Sequence, residues 1–172
     1  MSAKRITVTA VLTAVALTIF IIEAQIPPPV PLPGIKLGLA NVVTLFALFT
    51  LRKRDAFIIL ILRIILGSVY AGSVTGCIYS LAGGLVCFAL MSISSLFLKE
   101  DMIWCVSVIG AIGHNVGQIL VAVVMTHTIQ VMWHLPVLII SAVVTGVFTG
   151  LVTQQILKHG GGKIKRMIGE NR

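Results

Sequence analysis

Five apolar stretches in this chain approach or exceed the length a bilayer core demands, a sixth is short, and the cations between them are sorted to one side. Lys4 and Arg5 precede the first stretch, and Arg52, Lys53 and Arg54 separate the second from the third. Lys99 separates the fourth from the fifth, and Lys158, Lys163, Lys165, Arg166 and Arg172 follow the sixth. Those positions hold eleven of the 13 Lys and Arg residues. Of the remaining two, Lys36 lies in an intervening loop and Arg63 inside an apolar run. Cytoplasmic loops retain Lys and Arg, so both termini are expected in the cytoplasm. The pattern predicts an all-α integral membrane protein with six transmembrane helices, multi-pass in the cell membrane.

Composition closes the other routes. Hydrophobic residues make up 58% of the 172 positions, charged residues 10%, and the mean hydropathy is +1.08, so no aqueous fold has the polar surface it needs. The net charge of +8 is already accounted for by topology, and with aromatics at 6% no basic groove interleaved with rings exists to bind nucleic acid. The run from Ile6 to Ile22 exceeds a signal-peptide core and no A-x-A site follows it, so a retained helix is expected. Cys77, Cys87 and Cys105 show no C-x-x-C spacing and read as small membrane residues.

Helix 1 is predicted over Ile6–Gln25, ending at the proline-rich run 27–34, which cannot be helical and forms a stiff external loop. Helix 2 follows over Ile35–Leu51. Helix 3, over Ala56–Val69, spans roughly 21 Å at 1.5 Å per residue, short of the roughly 30 Å core. A helix that short must thin the bilayer, break into a re-entrant loop, or border a cavity open to the outside. Helices 4, 5 and 6 are expected over Val74–Leu98, Met102–Thr126 and Leu135–Leu157, with Trp133 as an interfacial anchor. The transmembrane domain is therefore 1–157, and 158–172 is a basic cytoplasmic tail with a glycine hinge at its start. Four small-residue pairs stand four apart: Ala10/Ala14, Gly34/Gly38, Gly113/Gly117 and Gly146/Gly150. Such pairs let helices approach closely.

Polar residues at membrane depth carry more information, because placing them there is expensive. Glu23 stands near the external end of helix 1, Lys36 and Asn41 in the external part of helix 2, and Arg63 near the midplane of helix 3. His114, Asn115 and Gln118 occupy one stretch of helix 5, with His114 and Gln118 sharing a face at i, i+4. Together they outline a polar chamber, cationic on balance, suited to a carboxylate or phosphate that Arg63 meets with a bidentate fork. The competing reading is structural: Glu23 pairs with Lys36 or Arg63, and the amides and imidazole bond across helices. Enzyme chemistry has little to stand on. The chain has five acidic residues, no Asp-rich pair to hold Mg²⁺ against a diphosphate, no nucleophile elbow and no Walker A sequence. Neither a cofactor nor a metal is called for.

The runs PLPGIKLGLAN (Pro31–Asn41), YSLAGGL (Tyr79–Leu85) and GAIGHNVGQ (Gly110–Gln118) resemble the signature of the Gx transporter family, as does Leu135-Pro136-Val137-Leu138 continuing to Gly146 and Gly150. That family carries the label heptaprenyl diphosphate synthase component I, and it is similar in turn to the substrate-binding S-components of energy-coupling factor (ECF) transporters. The resemblance implies a six-helix bundle of the S-component kind that captures a small anionic or isoprenoid-related solute from outside. Glu23, Lys36, Asn41, Arg63, His114, Asn115 and Gln118, the polar residues read above, would then surround that solute. It also implies a transmembrane coupling protein and two ATPases as partners, with Ala10 and Ala14 as the docking surface. The label itself implies the alternative, a non-catalytic membrane subunit of a polyprenyl diphosphate synthase. A scaffold in a membrane redox system is a third reading.

Overall fold

The computed structural model describes residues 3–26, 36–98 and 100–162. The proline-rich loop, Gly34, Lys99 and the tail beyond Gly162 lie outside the described residues. Six helices run in order: α1 Ala3–Glu23, α2 Asn41–Thr50, α3 Lys53–Ala71, α4 Val74–Phe97, α5 Ile103–Thr126 and α6 Leu135–Ile156. A 3₁₀ turn, Glu100–Met102, precedes α5. A longer one, Ile129–His134, joins α5 to α6, and a wide π turn, Leu157–Gly161, extends α6. The described residues contain no strand. Three of these helices, α1, α4 and α5, and the continuous helical run Ile129–Gly161 are long and apolar enough to cross a membrane. The protein is an all-α membrane protein.

The expectation of a short third helix is overturned. α3 has 19 residues and spans roughly 28 Å. It starts three residues earlier than expected because Lys53 and Arg54 are good helix formers and Asp55 sits in the first turn, where its charge suits the positive end of the helix dipole. Asp55 is buried and faces Arg5 of α1 at 4.0 Å. The short helix is α2, with 10 residues covering roughly 15 Å. Residues 36–40, predicted helical, are instead irregular backbone, with Gly38 at φ +81°. That φ is left-handed, open to glycine at no steric cost, and no α-helix passes through it. Gly38 is therefore not half of a helix-packing pair.

The other pairs behave as small residues in membrane helices do. A Cβ on Gly117 would lie 2.9 Å from the Ala82 carbonyl oxygen, so α5 rides directly on α4. A Cβ on Gly146 would lie 2.7 Å from Val108 Cα, and one on Gly150 2.5 Å from Trp104 Cα, which fixes α6 against α5. The Ser107 and Thr149 hydroxyls bond across that seam at 2.9 Å. Ala10 and Ala14 differ: both are exposed on the outer face of α1. The glycines expected to form a hinge begin inside the wide turn after α6, and Gly162 keeps helical angles.

Two apolar cores result. The inner one gathers Ala16, Leu45, Leu48, Ile59, Met91 and Val106. The outer one gathers Tyr79, Ile119, Ala122, Val131 and Leu138. Along α5, His114 and Asn115 fall between Val106 of the inner core and Ile119 of the outer one.

Candidate functional site

Irregular backbone at membrane depth needs its N–H and C=O groups satisfied by the protein itself. Here α1 supplies the acceptor. The Glu23 carboxylate, 4% exposed, takes the Gly38 N–H through Oε1 and the Ala40 N–H through Oε2, the latter at 3.2 Å. α5 holds the preceding residue. The hydrogen-bonding pattern orients the Gln118 amide so that its nitrogen donates to the Lys36 carbonyl (3.1 Å). Its oxygen then accepts from Lys36 N–H (3.3 Å) and from His114 Nε2 (3.2 Å). Gly38 fits this corner because a Cβ there would stand 2.9 Å from both Asn41 Nδ2 and His114 Cδ2.

Arg63 is 3% exposed and donates from Nη2 to Asn41 Oδ1 at 2.9 Å, while its Nε has no partner among the described residues. Lys36 leaves its backbone tied to Gln118 and lays its ammonium over the Phe20 ring, 3.5 Å from the centroid. Phe20 in turn packs on Gly67 of α3, where a Cβ would come within 2.5 Å of the ring.

Two spaces flank that cation–ring pair. The larger is a cavity of about 270 Å³ lined by Phe20, Glu23, Lys36 and Leu37 on one side and by Ser68, Ala71, Ser73 and Gly76 on the other. The smaller, about 10 Å³, is ringed by Phe20, Glu23, Lys36, Gly38, Arg63, Ser80 and His114. A volume near one probe sphere suffices for a single water or one ligand oxygen.

The structure thus brings Glu23, Lys36, Arg63 and His114 to one void and attaches Asn41 and Gln118 to its rim. Asn115 goes elsewhere: its Nδ2 donates to the Leu138 carbonyl of α6 at 2.7 Å, and it lines neither space. In place of the pairing that the competing reading gave Glu23 with Lys36 or Arg63, Glu23 takes hydrogen bonds from backbone amides and Arg63 donates to Asn41. The open cavity is bounded by α1, residues 36–37, the end of α3 and the start of α4, so α4 takes the place expected of α5. Phe20 and Ser80 were not expected. Phe20 stands three residues before Glu23 on the same face of α1, a spacing that would have flagged it. Ser80 carries no such signal.

Chemically the cluster sums to one carboxylate, one ammonium and one guanidinium, and the guanidinium, one of whose nitrogens has no partner among the described residues, lines a polar void. That is an environment for an anionic oxygen, next to a cavity with room for a small body. No curated protein and no solved structure matches the chain. The sequence profile described as heptaprenyl diphosphate synthase component I matches it over residues 12–156.

Proposed function

The chain belongs to the heptaprenyl diphosphate synthase component I family, and from that premise we propose that it is the solute-binding membrane subunit of an ECF-type importer. It takes a small anionic or isoprenoid-related solute from outside the cell into the cavity floored by Phe20 and Lys36. With both termini inside, as the cation distribution supports, that cavity opens on the external side.

The observation that carries this reading is the cationic pocket floor: Lys36 beside the cavity and a buried Arg63 beneath it with one N–H unpartnered. A buried charge with spare hydrogen-bonding capacity is costly unless it serves a ligand or a relay. In this role Lys36 and Arg63 neutralise the solute, His114 and Ser80 offer it hydrogen bonds, and Asn41 and Gln118 hold the first two in position. Asn115 contributes through α6 rather than by contact with the solute. The exposed Ala10–Ala14 face of α1 docks a transmembrane coupling protein, and two ATPases supply the energy. The chain itself performs no bond chemistry.

The family's description favours a second reading, a non-catalytic membrane subunit of a polyprenyl diphosphate synthase. The two part on what the protein carries out of its own membranes. Native mass spectrometry of gently solubilised protein is expected to recover a coupling protein and two ATPases. It is also expected to recover a small solute that is lost in Arg63→Ala and in the milder Lys36→Gln. Recovery of a soluble synthase chain without ATPases would replace the importer reading with the second.

A further inference from the structure

The start of α3 and the second half of α4 leave a groove of about 470 Å³, lined by Lys53, Arg54, Phe57, Ile58 and Phe88. It lies at the opposite end of α3 from the cavity described above. Its walls are apolar: the Phe57 and Phe88 rings meet at 5.4 Å between centroids, tilted by 57°. Its head is cationic. Lys53 and Phe57, and Arg54 and Ile58, are i, i+4 pairs, so both charges stand over the two apolar residues on one face of α3.

The charges at that head are available. Lys53 Nζ donates one hydrogen bond to the Ser92 carbonyl of α4 at 3.0 Å, which pins the ammonium above the groove and leaves two donors. Arg54 is exposed and makes no hydrogen bond or ion pair with a described residue. The neighbouring acid is diverted: Asp55 is buried toward Arg5 of α1, and no carboxylate of the described residues lines the groove.

The apolar face continues away from the charges. Leu62, Ile65 and Leu66 follow Ile58 along α3, and Leu85 and Leu81 precede Phe88 along α4, all 39% to 50% exposed. From Arg54 to Leu66 the helix rises roughly 18 Å. One leaflet of a roughly 30 Å hydrocarbon core is about 15 Å deep. A cationic head over an apolar track one leaflet long is the negative image of an anionic lipid.

We propose that this groove is a binding site for an anionic phospholipid of the inner leaflet, its phosphate held by Lys53 and Arg54 and one acyl chain lying across Phe57, Ile58 and Phe88. A zwitterionic lipid lacks the net charge to satisfy the head. The site is independent of which solute, if any, occupies the outer cavity.

The test uses the full chain in nanodiscs of equal phosphatidylglycerol and phosphatidylcholine with matched acyl chains, counting the lipids retained on release in native mass spectrometry. One phosphatidylglycerol is expected to persist over phosphatidylcholine. Each of Lys53→Gln and Arg54→Gln is expected to lower its retention about fivefold, the equivalent of about 1 kcal/mol per cation near an anionic surface. Lys4→Gln, an exposed inner cation without a groove, should leave retention unchanged. Equal loss in Lys4→Gln would reduce the effect to a diffuse surface field and overturn the site. Displacement of the phosphatidylglycerol by stoichiometric farnesyl diphosphate would overturn the phospholipid as its occupant. Both glutamine changes fall on exposed side chains, so a matching elution profile on size exclusion separates lost lipid from lost fold.

Discussion

Glu23 bonds two backbone amides across a gap in the helical structure, and this makes it a structural residue first. Leaving two buried N–H groups unpaired costs about 1–3 kcal/mol each. Glu23→Ala is therefore expected to lower the thermal midpoint in detergent markedly, and Glu23→Gln, which keeps one acceptor oxygen, to lower it less. Equal midpoints for Glu23→Ala and the parent would show that the amides at 38 and 40 find other partners. Gly38→Ala is expected to destabilise as well, by about 1–2 kcal/mol for the left-handed backbone, with the clash against Asn41 and His114 adding to it. Much of the polar cluster is legible in the sequence, because Glu, Lys, Arg and His inside apolar runs are expensive and so stand out. Their partners are not legible. Nothing in the spacing shows that Asn41 takes Arg63, that backbone takes Glu23, or that Asn115 turns to α6. Phe20 is faint for the opposite reason: its i, i+3 spacing to Glu23 is the one signal it gives, and otherwise a phenylalanine in an apolar helix looks like lipid-facing bulk until Lys36 is seen resting on it.

At the level of helices, the number and order of elements follow from the apolar runs, while two boundaries do not. Charge at Lys53–Asp55 reads as loop, yet those residues favour a helix start, and α3 gains a turn. The stretch Lys36–Ala40 reads as helix by hydropathy, yet one glycine angle and one distant carboxylate hold it open. Hydropathy windows see neither a φ angle nor a partner 15 residues upstream. Helix contact is better encoded, and it yields a graded prediction. Gly150→Ala places a methyl 2.5 Å from the Trp104 backbone and must part α5 from α6. Overpacking of this kind costs about 1–3 kcal/mol. Gly160→Ala, with nothing within 4 Å, is expected to change stability by less than about 0.5 kcal/mol. Thermal unfolding of the two variants side by side in one detergent checks the order.

For the whole molecule, the cation sorting predicts a topology, and a maleimide-labelled cysteine introduced at Gly162 is expected to be accessible from the inside of intact cells, as is one at Lys4. The exposed face of α1 belongs to this scale too, because what it touches lies outside the chain. Ala10→Leu with Ala14→Leu adds bulk to a surface that is exposed among the described residues, so the thermal midpoint is expected to hold while co-purification of the coupling protein is lost. A fall in the midpoint would assign that face to the bundle instead. There is finally a matter of timing in the bond between Glu23 and the amides of Gly38 and Ala40, 15 and 17 residues downstream. The ribosome releases the acceptor before the donors. The acceptor that the unwound segment needs is therefore always made before that segment is. The first helix thus supplies in advance what the backbone before the second lacks, and the order in which the chain is written runs with the order in which these bonds can form.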